Sequence, residues 1–270
     1  MTKVILAFMS AALLLAACSK KSSGSGSGSG GSTDMVKSIT TTLKAPSGTS
    51  TSVNTFVYDS QNRPIQSISG PDTAYYTYTA NTLTSVGEGF MTVYFLNASG
   101  TADSAYQAYD VPGIAAGVTN PLSNGTFVYY YTYSSNGYLA RTYQYQVSPV
   151  GDTVVAAYLY TVTNGNITEV TDSVSVTSTP LTYTNQTTTT HPLPPDPFAG
   201  AVLPFGPSAP TNLFGHPNAN LIATIPETIG TLSNTIKVTY TLDGQGRIAT
   251  VTEDTPAGLL APSISTYLYY

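Results

Sequence analysis

The feature that most constrains the fold is a strand–turn–strand unit that recurs along the chain. In residues 56–65, large residues alternate with smaller ones, run into a polar turn and then restart on the other side of it. Residues 131–139 and 240–248 repeat the unit, and weaker copies lie at residues 76–83 and 158–167. Their turns are rich in Asn and Gly, which tolerate the positive φ that tight hairpins require. The repetition predicts successive antiparallel hairpins.

Composition supports strands over helices. The chain has 21 Tyr, no Trp, and long runs of Thr and Ser, while only 9% of its residues are charged. β-Branched and aromatic side chains fit a pleated, half-exposed surface. We therefore predict an all-β fold, a large twisted antiparallel meander of hairpin repeats that forms an open, curved or barrel-like sheet. The net charge of −5 argues against nucleic acid and against an anionic membrane surface as electrostatic partners.

The acidic residues of the hairpin units are interpreted as turn formers. Asp59 and Asp243 stand at turn entrances, where a short carboxylate can accept backbone N–H bonds. Arg63 and Arg247 follow just past the same turns, and we expect them to be solvated cross-strand partners of these acids. Catalytic roles are not predicted for either pair.

Aromatic residues mark a candidate ligand-binding face. Tyr129, Tyr131 and Tyr133 share one face of their strand because side chains alternate along a strand. Tyr143 and Tyr145 share one face of the following strand. Tyrosine offers apolar area with a polar tip, which suits binding surfaces. These five residues are the predicted ligand face, with tyrosines packing one side of the sheet and water on much of the other.

A proline- and glycine-rich segment, residues 191–226, interrupts the hairpin pattern. Proline removes backbone donors and fixes φ, so the segment is predicted to be loop and not strand. Its apolar residues are too numerous for a free linker. We expect it to cover the open face or one end of the sheet as a lid within a single β domain, residues 34–270, with one helical turn near residues 218–222.

The N-terminal residues have the layout of an export signal. Lys3 precedes an apolar run that is too short for a membrane-spanning helix, and small residues lead to Cys18, the only cysteine. A lone cysteine excludes an intrachain disulfide. Residues 15–18, Leu-Ala-Ala-Cys, resemble the lipobox of bacterial type II signal peptides, which implies that residues 1–17 are removed and that Cys18 carries diacylglycerol and a further acyl chain such as palmitate.

A flexible tether follows the lipidation site. Ser and Gly alternate over residues 22–32, a composition that behaves as a random coil, so residues 18–33 are predicted to be the lipidated cysteine and its tether. Among lipoproteins, Ser19 in place of Asp implies sorting to the outer membrane. Lys20 and Lys21, where surface-exported lipoproteins carry acidic residues, favour the periplasmic side.

A further resemblance covers most of the chain from about Lys37 onwards. The order Asp-Pro-Phe-Ala-Gly at 196–200, Asn-Leu-Phe-Gly at 212–215, the hairpin at 240–253 and the closing Thr-Tyr-Leu-Tyr at 266–269 is similar to that of uncharacterised Bacteroidota lipoproteins. The nearest group is a domain-of-unknown-function family described as having a porin-like fold. The hairpin turns also resemble the YD repeats of secreted toxin shells. The family has no assigned activity, so the resemblance implies no catalytic residues.

Residues that could carry out catalysis or bind a metal are scarce. His191 and His216 both adjoin proline, and no nearby His or Cys completes a metal site. No nucleophile-elbow sequence is present, so no catalytic residue, metal or cofactor is predicted.

Three functions remain open. The preferred one is a membrane-anchored, non-catalytic module that binds a glycan, a peptide or another envelope protein; the others are an outer-membrane β-barrel, suggested by the closing aromatic Tyr270, and a cell-envelope hydrolase.

Overall fold

The computed structural model describes residues 35–45, 48–87, 90–109, 126–147, 151–187, 211–229, 232–254 and 262–270. Cys18, the tether and residues 188–210 lie outside this described part. A single 3-10 turn, Thr211–Phe214, is its only helical element. The strands are β1 (Val36–Ala45), β2 (Gly48–Tyr58), β3 (Pro64–Ser69), β4 (Asp72–Tyr78), β5 (Thr82–Gly87), β6 (Phe90–Leu96), β7 (Ala102–Tyr109), β8 (Thr126–Tyr133), β9 (Leu139–Val147), β10 (Thr153–Thr163), β11 (Asn166–Asp172), β12 (Thr177–Pro180), β13 (Thr182–Tyr183), β14 (Ile222–Ile229), β15 (Leu232–Leu242), β16 (Ile248–Asp254) and β17 (Ser263–Tyr269).

The strands form one antiparallel, nearly closed, barrel-like sheet of 17 strands. Neighbours in sequence pair with each other around the ring, and β17 returns to pair with β1. One joint interrupts the ring, because β12 pairs with β11 whereas β13 pairs with β14. Only Leu181 separates β12 from β13. The predicted all-β meander of hairpins is confirmed, and its barrel-like form is the one observed.

Short connections occur at both ends of the barrel, for example between β3 and β4 at one end and between β4 and β5 at the other. Short hairpin turns join β2 to β3, β4 to β5, β6 to β7, β8 to β9, β10 to β11 and β15 to β16, and all of them lie at the same end, here called the turn end. The first and last described strands also meet there, since the Tyr270 amide donates to the Met35 carbonyl at 3.0 Å. The opposite end is called the far end. Met35, the first described residue, therefore lies at the turn end.

Two turns share one hydrogen-bond arrangement, which confirms that their acids are turn formers. In the first, Asp59 Oδ1 accepts from the amides of Gln61 and Arg63 at 2.8 and 2.9 Å, and Arg63 Nε donates to Asp59 Oδ2 at 2.8 Å. Asp243, Gln245 and Arg247 repeat it at 2.8, 2.9 and 2.7 Å. Burial acts to raise the pKa of Asp243, but the bonds from Arg247 and Gln245 outweigh it and hold the pKa below its usual value.

The expected pairing of these arginines with the two acids is confirmed, but Arg247 is less solvated than expected, with 12% of its side chain exposed. Each pairs with the acid four residues before it, inside its own turn. Each guanidinium also lies over a tyrosine ring, Arg63 at 4.4 Å from the centroid of Tyr78 and Arg247 at 4.1 Å from that of Tyr269. Stacking on an aromatic face adds a cation–π attraction that sequence spacing does not reveal.

The core fills the inside of the barrel toward the turn end. Inward side chains alternate with outward ones along each strand, as pleating requires. The inward set is aromatic and aliphatic near the turns. Its most buried members, each no more than 2% exposed, include Val36, Ile39, Phe56, Leu83, Tyr94, Tyr129, Leu221, Ile222 and Ile248.

Candidate functional site

A described segment, residues 211–221, lies across the turn end of the barrel and is here called the plug. Leu213 and Leu221 are buried, with exposed fractions of 3% and 1%. Phe214 packs on two inward rings, 5.2 Å from the centroid of Tyr131 and 6.0 Å from that of Tyr94. The barrel interior is therefore filled at this end by side chains from both the sheet and the plug.

The predicted lid, residues 191–226, differs from the structure in two details. The helical turn is at Thr211–Phe214 and not near residues 218–222. Residues 222–226 belong to β14, which pairs with β15 from Thr224 to Ile229, and Ile222 and Ile225 are both buried on either side of a register shift. Pro226 is tolerated since it lies beyond the two residues of β13 that pair with β14. Residues 191–210, including His191, lie outside the described residues.

Asparagine side chains fix one side of the plug to the hairpin between β10 and β11. Asn218 Oδ1 accepts from the Ile167 amide at 2.8 Å. Asn166 and Asn220 form a reciprocal pair, in which the Asn220 amide donates to Asn166 Oδ1 at 2.9 Å and Asn166 Nδ2 donates to Asn220 Oδ1 at 3.0 Å. These bonds satisfy backbone groups that burial would otherwise leave unpaired.

The other side of the plug is fixed to the hairpin between β8 and β9. The His216 amide donates to the Gly137 carbonyl at 3.0 Å, and Tyr133 Oη donates to the Leu213 carbonyl at 3.3 Å. The His216 imidazole packs against Tyr138 with 5.3 Å between ring centroids. His216 is thus a packing residue of the plug. In the described part of the chain, no group of three or more His, Cys, Asp or Glu side chains could hold a metal ion.

A polar layer lines the barrel interior beyond the aromatic core. Ser85, Thr92 and Gln107 lie side by side on consecutive strands, and all three are buried. Tyr129 Oη donates to Gln107 Oε1 at 3.1 Å and accepts from Gln144 Nε2 at 3.1 Å. The layer consists of hydroxyls and amides, which bind by neutral hydrogen bonds.

Several buried hydroxyls of the interior have no hydrogen-bond partner among the described residues. They include those of Ser85, Tyr131 and Tyr267. Burial raises the pKa of Tyr131 and Tyr267 well above the usual value, and that of Tyr76 to about 12. These phenols therefore stay protonated at neutral pH and act as hydrogen-bond donors. Buried polar groups of this kind are ordinarily satisfied by ordered water.

A carboxylate lies among the buried side chains of the barrel interior. Glu253 lies opposite Val238 and Ser263, and Ser263 Oγ donates to Glu253 Oε2 at 2.8 Å. Burial raises the pKa of Glu253 above its ordinary 4.5, although the bond from Ser263 acts in the opposite direction. A raised pKa in the folded state means that ionising Glu253 destabilises the fold as the pH rises through that pKa.

Replacing Glu253 by glutamine should therefore raise the Tm at pH 7. Glutamine keeps an oxygen that can accept from Ser263 Oγ but carries no charge to desolvate. The gain should disappear near pH 4 and below, where Glu253 is protonated in both the folded and unfolded chain. Thermal unfolding of both proteins between pH 3 and pH 8 measures this. A variant that is less stable at neutral pH would show that the ionised form is the favoured one.

The predicted ligand face is divided between the two sides of the sheet. Tyr129 and Tyr131 are buried in the interior, and Tyr133 is partly buried beside the plug. Tyr143 and Tyr145 point outward, because they lie directly opposite Tyr130 and Val128. Opposite residues share a face, and the β8–β9 register pairs the inward tyrosines of β8 with Gln144 and Thr142 of β9. The five tyrosines therefore do not form one surface.

Sequence reasoning missed the residues that hold the plug and those that form the polar layer. Asn166, Asn218 and Asn220 lie in turn-like sequence, where Asn is commonplace, so no local signal sets them apart. Ser85, Thr92 and Gln107 could have been found by following the period-two alternation from Tyr76 into the next strands. No helix in the described residues is long and apolar enough to cross a membrane.

Comparison with solved structures defines the class of fold as porin-like. The chain is similar to a porin-like protein from Bacteroides uniformis, with 17% identity and a TM-score of 0.62, covering 87% of this chain and 98% of that one. It is also similar to a porin-like protein from Bacteroides vulgatus, with 13% identity, a TM-score of 0.58 and coverage of 87% and 98%. No protein-family model and no curated protein matches the sequence. The porin-like fold implied by the sequence resemblance is confirmed.

Proposed function

We propose that this chain is an outer-membrane lipoprotein in which a porin-like barrel, tethered through acylated Cys18, serves as a non-catalytic binding or structural module of the cell envelope. The barrel stands beside the bilayer, on the periplasmic side, and does not cross it. Two or more acyl chains at Cys18 would hold it firmly, since one chain alone binds only marginally. The Ser19-Lys20-Lys21 sequence supports the proposed side and membrane.

The observation that carries this proposal is a row of threonines on the outside of the barrel. Thr241 lies opposite Thr250, Thr250 opposite Thr266, and Thr266 opposite Thr40, so the row crosses β15, β16, β17 and β1. The hydroxyls of Thr241 and Thr250 bond to each other at 2.7 Å. A membrane-spanning barrel needs an outward apolar band around its whole circumference. A hydroxyl-covered arc favours water as its neighbour.

Other outward positions of the same half of the barrel are polar as well. Thr182 and Thr224 bond through their hydroxyls at 2.6 Å, and Thr171 bonds to Ser178 at 2.9 Å. Lys237 is exposed on the same face of β15, four residues before Thr241. An outer-membrane barrel would expose these groups to lipid, and a charged side chain near the bilayer midplane costs roughly 2–4 kcal/mol.

The proposed ligand is a neutral glycan or another envelope protein. Inward-facing positions near the far end are exposed and polar, as at Ser50, Asp72 and Gln146. Hydroxyls and amides can exchange hydrogen bonds with a polyhydroxyl chain without displacing a counter-charge. The plug closes the turn end with side chains, which suits a cup better than a channel.

Replacing Cys18 by alanine tests the proposed anchoring. Without acylation, the chain should move from the membrane pellet to the soluble fraction, because no other part of it is proposed to hold it irreversibly. Fractionation with alkaline extraction measures this, and mass spectrometry of the wild-type protein checks for the acyl mass on Cys18. Retention of the variant in the extracted membranes would support the outer-membrane barrel instead.

A further inference from the structure

We propose that one outer face of the barrel is an apolar patch that lies flat against the bilayer surface to which Cys18 is anchored. The inference rests on the proposed tethering and adds to it a second, non-covalent membrane contact. The patch covers the outward side of β4–β10. It is defined by Tyr75, Val93, Phe95, Tyr130, Tyr145 and Val154.

Four exposed large apolar side chains of the described residues lie on this face, whereas others, such as Val53 and Leu268, lie singly on β2 and β17. Tyr75, Phe95, Tyr130 and Val154 have exposed fractions of 53%, 48%, 50% and 42%. Soluble proteins rarely expose many apolar side chains on one continuous surface, and such patches mark interaction sites.

The patch is continuous because its residues lie in register across adjacent strands. Val93 lies opposite Tyr106, Tyr106 opposite Val128, Val128 opposite Tyr145, and Tyr145 opposite Val154, so one uncharged row crosses β6–β10. Tyr130 packs edge-on against Tyr145, with 5.8 Å between ring centroids. The partner must therefore be broad and apolar rather than a single small ligand.

A continuous row of apolar and tyrosine side chains crosses β6–β10, whereas the row across β15, β16, β17 and β1 consists of threonines, and this contrast argues for a planar partner on one side only. The threonine row on β15, β16, β17 and β1 faces away from the patch around the ring. A barrel inserted through a bilayer would need the apolar surface on both sides. A barrel that rests on a bilayer needs an apolar surface on one side only.

The tether identifies the bilayer as the occupant of the patch. The 17 residues 18–34 would behave as a flexible coil with an r.m.s. span of roughly 21–25 Å. The acyl anchor thus keeps the barrel within reach of the lipid surface at a high effective concentration, at which even a weak apolar contact is populated. Tyrosine is suited to the headgroup boundary, since its ring is apolar and its hydroxyl is polar.

A charged residue at the edge of the patch fits the same partner. Arg141 is exposed beside the patch toward the turn end, and its Nη1 donates to the hydroxyl of Tyr143 at 2.8 Å. A guanidinium held at the rim of an apolar surface can bind lipid phosphate while the surface contacts the acyl boundary.

Single tryptophans can test the orientation because the natural chain has none. Tyr130→Trp places a fluorophore in the patch. Leu268→Trp places one at an outward residue, 55% exposed, of β17 on the threonine side, and is the matched control. Each acylated full-length protein is reconstituted in phosphatidylcholine vesicles whose acyl chains are brominated near the headgroup, and in unbrominated vesicles. The bromines quench only tryptophan that reaches the acyl boundary.

The proposal predicts that Tyr130→Trp emits at shorter wavelength and loses most of its emission in brominated vesicles, while Leu268→Trp loses little. Equal quenching of both would indicate insertion of the barrel and would overturn the one-sided contact. No quenching of either, in vesicles that float with the acylated protein, would overturn the patch proposal while leaving the tether intact. An unquenched blue shift that grows with protein concentration would assign the patch to a second copy of the chain. Failure of the protein to float with vesicles would instead refute the tethering itself.

Discussion

Replacing Gly215 by alanine is expected to lower the free energy of unfolding by more than about 2 kcal/mol, because two costs combine at this residue. Gly215 has φ of +86°, a left-handed conformation that penalises a side chain. A Cβ here would also lie 2.3 Å from the Gly137 carbonyl oxygen and 3.1 Å from the Tyr133 ring. Since the closest atom belongs to the backbone, the plug or the hairpin must move.

Two other glycines separate the conformational cost of a left-handed φ from the steric cost of a close contact. Gly100 has φ of +82° but no atom within 4 Å of a Cβ, so Gly100→Ala should cost only the conformational penalty of about 1–2 kcal/mol. Gly244 has no atom that close and no left-handed φ, so Gly244→Ala should change stability little. Urea unfolding of the three variants measures the series. A Gly215→Ala cost no larger than that of Gly100→Ala would contradict the close contact between plug and hairpin.

Replacing Leu221 by alanine is the second large effect expected. Leu221 is 1% exposed and belongs to the core on the inside of the barrel, where it joins the plug to the sheet. Truncating a fully buried leucine costs about 2–5 kcal/mol, the transfer of its methyl groups plus the cavity left behind. Leu268→Ala, at an outward leucine that is 55% exposed, should change stability by less than about 0.5 kcal/mol.

The unfolding curves also report whether the plug and barrel unfold together. If the plug belongs to the core, the Leu221→Ala substitution should lower the urea midpoint. The slope of the unfolding free energy against urea concentration should change little, because the same surface is exposed on unfolding. A small cost at Leu221, or a separate early transition, would mean that residues 211–221 are only loosely attached to the barrel.

The hairpins could be predicted from sequence because their determinants are local. The turns at Asp59 and Asp243 are set by carboxylates that accept bonds from amides two and four residues later. Alternation of Tyr with smaller residues then fixes which side chains share a face on each strand. Both signals lie within a dozen residues of each other, so the sheet of hairpins follows from the sequence.

Closure and face assignment could not be predicted because they depend on long-range register. The ring closes where Thr40 meets Thr266, residues at opposite ends of the domain. The bulge between Thr132 and Tyr133 sets the register of β8 on β9, and thereby places Tyr143 outward while Tyr131 is inward. A one-residue difference in register reverses every side chain of a strand, so the tyrosines could not be assembled into one face from sequence alone.

The plug could be predicted from the sequence only in part. From its apolar residues we expect the proline-rich segment to pack on the sheet; among its described residues, Leu213 is buried and Phe214 packs on Tyr131. Its partners could not be predicted, because Asn218 bonds to Ile167 and Asn220 bonds to Asn166, residues that are more than 50 positions apart in the sequence. Threonine rows, in contrast, were open to prediction: Thr-x-Thr occurs at 40–42, 239–241 and 250–252, on strands that proved adjacent.

The central claim is that this porin-like barrel folds in water and needs the membrane only as an anchor. The most direct test uses the mature chain, residues 18–270, with Cys18 replaced by alanine and purified without detergent. The account predicts a β-rich circular dichroism spectrum, one cooperative unfolding transition and a compact species in sedimentation velocity, since the outward threonines are solvated by water. A chain that stays unfolded or aggregated until detergent or lipid is added would contradict it and would identify a membrane-spanning barrel.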